Sequence, residues 1–108
     1  MKIAIPVQEE RVESKVDSVF GRAPFFAVYD SKDKSSVFKP NPAKDAESGA
    51  GIQAFKMMVD LGVNAVITGE VGPKALDLLK SRGIRVVQPK RDTLKETLAN
   101  LDELGLSG

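Results

Sequence analysis

The stretch from Val63 to Pro73, Val-Asn-Ala-Val-Ile-Thr-Gly-Glu-Val-Gly-Pro, constrains the fold of this chain more than any other. Val63, Ala65, Val66 and Ile67 form a short apolar run, the pattern of a central strand covered on both faces. Gly69 and Gly72 then permit a tight turn, and Pro73 suits the first position of a helix. A strand that runs into a glycine turn and opens a helix aims free backbone N–H groups, and the positive end of a helix dipole, at one spot. The remaining residues are expected to build a sheet around this strand and a pocket around this turn.

Elements before this stretch fall into place by periodicity. Lys2–Val7 predicts a first strand in which Ile3, Ile5 and Val7 alternate with smaller residues, and Pro6, lacking an N–H, belongs where pairing stops. Residues Gln8–Pro24 form a long charged loop; segments beyond ~12–15 residues without regular structure are usually functional or disordered. Val12, Val16, Val19 and Phe20 argue for a loop pinned to the core. It closes with Gly21, which allows an unusual backbone angle, and Arg22, a planar donor fork that serves either a ligand or a surface salt bridge. Phe25–Asp30 and Ser35–Lys39 read as an antiparallel hairpin across Ser31-Lys32-Asp33-Lys34.

A first helix is expected from about Ala46 to Leu61, with Ile52, Phe55, Met58, Val59 and Leu61 on its buried stripe, Asp45 or Ser48 as cap and Gly62 as stop. Gly49 and Gly51 each cost a helix ~1 kcal/mol relative to Ala. Their presence predicts close approach of a neighbouring strand or of a ligand. After the Val63–Pro73 stretch come a helix over Pro73–Arg82 with Ala75, Leu76 and Leu79 inward, a strand over Ile84–Gln88, and a final helix opened by a Thr93–Glu96 capping box with Leu94, Leu98 and Leu101 on one face.

Two helical crossovers make the first, fourth and fifth strands parallel, and the hairpin extends the sheet beyond the first. The expected fold is a single α/β domain over residues 1–108: a ribonuclease-H-like five-stranded mixed sheet, order 3-2-1-4-5, with strand 2 antiparallel and helices on both faces. Ligands of such sheets sit beyond the carboxyl ends of the strands, between diverging connections. That gathers the Gln8–Pro24 loop, the Gly69–Pro73 turn and the Pro89-Lys90-Arg91 loop, with Arg22, Lys74, Lys90 and Arg91 as sources of positive charge. Glu70 opposes an anion there and suits a cation or a proton instead.

Composition narrows the chemistry. The chain contains neither cysteine nor histidine, so disulfides, thiolate clusters, zinc fingers and imidazole bases are excluded. Its net charge of +1 gives no electrostatic case for nucleic acid. No segment approaches the ~20 apolar residues of a membrane span, and the N-terminus lacks a signal-peptide run, so the expectation is a cytoplasmic protein. A two-metal nuclease needs several carboxylates around the central strands, and the first strand has none. Glu70 and Asp30 alone do not make that site, and the expectation is a protein that is not an enzyme.

Met1-Lys-Ile-Ala-Ile-Pro-Val7, Phe20-Gly21-Arg22-Ala23-Pro24-Phe25, Asn41-Pro42 with Gly49-Ala50-Gly51, Gly62-Val63, and Thr68-Gly69-Glu70-Val71-Gly72-Pro73-Lys74-Ala75 occur in that order. Together they resemble the dinitrogenase iron–molybdenum cofactor biosynthesis family, the NifX and NifB C-terminal-like domains. The resemblance implies the same fold and a role in holding or passing an iron–sulfur or molybdenum–sulfur cluster, with ligand contacts from Gly21, Arg22, Ser48, Gly49, Gly51, Gly69, Glu70, Gly72 and Lys74. Members often carry histidines where this chain has Val19 and Ser48. Without such ligands, a cluster is held as an anion through N–H groups and charged side chains, keeping its own sulfides. The alternative is a regulatory or assembly domain that binds a protein partner and has lost cluster binding.

Overall fold

The computed structural model describes residues 1–106. Its elements are β1 (Lys2–Val7), β2 (Phe25–Asp30), β3 (Ser35–Pro40), α1 (Ala50–Leu61), β4 (Ala65–Ile67), α2 (Pro73–Ser81), β5 (Arg85–Val87), α3 (Leu94–Ala99) and a 3-10 turn over Leu101–Leu104. The five strands form one sheet in the order β3-β2-β1-β4-β5. β1 pairs antiparallel with β2, and parallel with β4, which pairs parallel with β5. The order and directions are those the sequence predicts.

β1 is the centre of the sheet because its residues are apolar on both sides: Ile3 to Val7 are all buried. One face, carrying Ala4, Phe26, Val28 and Val66, packs against Ala54 and Met58 of α1 and Leu79 of α2. The opposite face, carrying Ile3, Ile5, Ala27, Ala65 and Ile67, packs under Leu94 of α3 and the terminal Leu104 and Leu106. Each large side chain so buried contributes roughly 1.5–3 kcal/mol. Pro6 lies beyond Ala4↔Val66, the last register pair between β1 and β4, where no ladder bond to that neighbour is lost. Among the described residues, no helix is long and apolar enough to cross a membrane.

Two local expectations are corrected. α1 begins at Ala50, not near Ala46, and neither Asp45 nor Ser48 caps it. Its cap is Gly49 at φ 72°, a left-handed conformation that costs other residues about 1–2 kcal/mol, and this is why glycine stands there. The most deeply buried line of α1 is Ala50, Ala54 and Met58, while Ile52, Phe55, Val59 and Leu61 are only half-buried. Small side chains let the helix axis approach the sheet, so the closest line is not the bulkiest one. Thr93 caps α3 as expected, with Glu96 N–H donating to Thr93 Oγ1 at 3.2 Å, while the Glu96 carboxylate accepts from the Thr93 hydroxyl at 3.1 Å rather than from its N–H.

Candidate functional site: a groove between two helix N-termini

Beyond the carboxyl end of β4, the Gly69–Gly72 turn is fixed by the long loop that precedes β2. Glu70 N–H donates to Ser18 C=O at 2.6 Å, and Phe20 N–H donates to Glu70 C=O at 3.0 Å. A Cβ on Gly69 would lie 3.1 Å from Ser18 O, so the two backbones run in close contact. Gln88, just after β5, adds a bond from Nε2 to Gly69 O at 2.8 Å. The loop itself is anchored by Phe20, which is fully buried with its ring 5.5 Å from that of Phe26. Ser14 secures the other end: its Oγ accepts from the N–H groups of Gln8 and Glu9 at 3.1 and 3.0 Å. Val16 is half-buried against the core, whereas Val12 is 37% exposed and pins nothing with its side chain.

Next along this loop, Gly21 lies against the first turn of α1, where a Cβ would come within 2.9 Å of Gly51 N. Gly51 in turn faces α2: its missing Cβ would be 3.1 Å from Ala75 Cβ. The close partner of Gly51 is therefore a helix, not a strand. Its consequence is that the first turns of α1 and α2 lie side by side. Neither helix carries a side-chain cap. Intrahelical bonding starts at Gln53 N–H to Gly49 O and Leu76 N–H to Gly72 O, which leaves the N–H groups of Ala50, Gly51, Ile52, Lys74 and Ala75 outside the helical ladders.

These elements enclose an open groove of about 840 Å³. It is lined by Gly21, Arg22, Gly49, Gly51, Gly69, Glu70, Gly72 and Lys74, all drawn from the residues singled out in the sequence. Ser48 is exposed and does not line it. The walls are apolar: Val19, Ile52 and Val71, with Ala50, Pro73 and Ala75. By their spacing Val19 is expected as a loop anchor and Ile52 in the helix core; their role as walls follows only from how α1 and the loop meet. The charged residues of the lining are two cations, Arg22 and Lys74, and one carboxylate, Glu70.

The other expected cations go elsewhere. Arg91 pairs with the Glu103 carboxylate through Nε, at 3.1 Å, and Nη2, and Lys90 Nζ donates to Glu103 C=O at 3.3 Å. The guanidinium hydrogen bond holds the Glu103 carboxyl below the usual glutamate range. Among the described residues Arg22 makes no salt bridge: its Nη1 donates to the carbonyls of Lys44, at 3.2 Å, and of Ala46. Among the described residues, no group of three or more acidic side chains is arranged to hold a metal ion.

Fold and groove together define a small α/β domain with an open, glycine-lined groove at the carboxyl edge of a mixed sheet. The chain belongs to the dinitrogenase iron-molybdenum cofactor family, whose model matches residues 1–104. An uncharacterised protein of Methanocaldococcus jannaschii is 29% identical over 101 residues, covering 91% of this chain and 82% of its own length. The high-resolution structure of the apo form of the orange protein from Desulfovibrio gigas is similar with a TM-score of 0.87 and 31% identity, over 94% of this chain and 87% of that one. An NMR structure of a candidate NifB protein from Thermotoga matches with a TM-score of 0.81 and 28% identity, again over 94% and 87%.

Proposed function

We propose that this protein holds or carries an anionic metal–sulfur cluster, or a related oxyanion, in the groove between α1 and α2. The observation that carries the reading is the convergence of two uncapped helix N-termini on one groove of about 840 Å³. Each such terminus presents roughly half a positive charge and unpaired N–H donors. The full sequence offers neither thiolate nor imidazole. Backbone donors, Lys74 and Arg22 suit an anion that arrives with its own sulfide ligands, and the apolar walls suit a large, weakly hydrated one. Membership of the family supports the same reading, as does a similar protein described in an apo form. A ribonuclease-H-like topology for the sheet and a cytoplasmic location belong to this proposal; the strand order supports the former.

The test is an anaerobic titration with tetrathiomolybdate. The proposal expects a saturable shift of its charge-transfer band, weakened about two- to fivefold by Lys74→Ala, the scale of one exposed charge. No shift at high micromolar protein sinks it. A second reading, a regulatory or assembly domain that binds a protein partner, is favoured by the absence of histidine and cysteine. Purification of a defined complex without any coloured ligand from anaerobic host cells supports that reading over the first.

A further inference from the structure

Residues 41–49, which lead into α1, are held at their start by Asn41 and at their end by the left-handed Gly49. Asn41 is buried and its Nδ2 donates to Gly21 O at 3.2 Å and Ala23 O at 2.9 Å. Between these points the segment is mostly exposed, with Ala43 its only deeply buried side chain. Among the described residues, its sole side-chain tie from outside is Arg22, through Nη1 to the carbonyls of Lys44 and Ala46. A guanidinium carries five N–H donors, and Nη1 accounts for two of them. Those on Nε and Nη2 have no partner among the described residues, and Arg22 lines the groove.

We infer that Arg22 is a two-sided positioning residue: one edge of its guanidinium latches the 41–49 segment, while the other meets an anion in the groove. Occupancy is thereby felt on the exposed surface of residues 42–48. The inference rests on the anion-binding reading for its second half only. Three features carry it. Among the described residues, no carboxylate forms a salt bridge with Arg22. It bonds carbonyls on both sides of Asp45. It sits on Gly21–Arg22, whose backbone is wedged against α1 at Gly51 and cannot follow the segment if that opens. An anion that fixes the free edge also fixes the rotamer that the latch needs.

Amide hydrogen exchange of Lys44 and Ala46 tests this, in wild type, Arg22→Lys and Arg22→Gln, with and without tetrathiomolybdate. These amides bond within the segment, to Asn41 O and Ala43 O, so they report its opening. Without ligand, both variants are expected to exchange about five- to tenfold faster there, the scale of lost charge-assisted bonds to carbonyls, with an unchanged melting temperature. Saturating tetrathiomolybdate is expected to slow exchange in wild type and to leave it fast in Arg22→Lys, which keeps the charge but not the fork. Unchanged exchange in the ligand-free variants overturns the latch, whatever the groove binds. A band shift in wild type without added protection overturns the coupling and leaves the binding reading standing. Absence of any band shift overturns the binding reading, and the coupling with it, while the latch is still judged by the ligand-free variants.

Discussion

Gly21 and Gly51 touch so closely that a Cβ on Gly21 would sit 2.9 Å from the Gly51 nitrogen. The obstacle is backbone, which cannot rotate away. Gly21→Ala is therefore expected to push the loop off α1 and to destabilise the fold by about 1–3 kcal/mol in urea denaturation, as overpacking does. A change of only a few tenths, with the groove intact, contradicts this contact.

Gly72 behaves in the opposite way. A Cβ there meets nothing within 4 Å, and its φ of −59° is open to any residue. Gly72→Ser places a hydroxyl at the N-cap of α2, where it accepts from the first-turn N–H groups and adds a few tenths of a kcal/mol. The same bond occupies donors that a bound anion needs. The expected result is a protein at least as stable as wild type that binds tetrathiomolybdate about five- to tenfold more weakly. Binding as strong as in wild type removes α2 from the site.

Thr68 is fully buried, and its Oγ1 has no hydrogen-bond partner among the described residues. Thr68→Val keeps the shape and removes an unpaired polar group. It is expected to stabilise the protein by about 1 kcal/mol in denaturant titration. A loss of stability shows that the hydroxyl is satisfied in solution.

Glu103 is held below the usual glutamate range by the Arg91 guanidinium. A carboxyl whose folded pKa is depressed supports the fold above its unfolded value and loses that support as pH falls through the folded one. Carbon-13 titration should find the Glu103 midpoint below the ordinary glutamate value. In Arg91→Ala its midpoint should move up toward the ordinary value. An unmoved midpoint means that the pair does not persist in water.

The parts of the fold legible in the sequence are those set by local pattern. The Val63–Pro73 strand, turn and helix, the helix cap at Thr93 and the strand order all follow from periodicity, glycine placement and the right-handed crossover. The start of α1 was not legible, because it depends on contacts distant in sequence. Arg22 binds carbonyls 22 and 24 positions away, and Asn41 reaches back 18 to Ala23. These bonds hold residues 41–49 in non-helical turns and bends as far as Gly49, where local propensity alone starts the helix earlier. The groove glycines were legible as a set, but their separate duties were not. Gly21 and Gly51 are packing contacts, Gly49 answers a backbone angle, and Gly72 answers neither. Lys90 and Arg91 look free in the sequence and are diverted by Glu103, 13 and 12 residues on.

The central claim is that backbone N–H groups at two helix ends hold the anion. Nitrogen–proton correlation spectra of labelled protein, recorded during anaerobic tetrathiomolybdate addition, test it amide by amide. The account predicts saturable shifts centred on Ala50, Gly51, Ile52, Lys74 and Ala75, following the same curve as the charge-transfer band. A band that saturates while those amides stay still, or shifts centred elsewhere on the molecule, would contradict it.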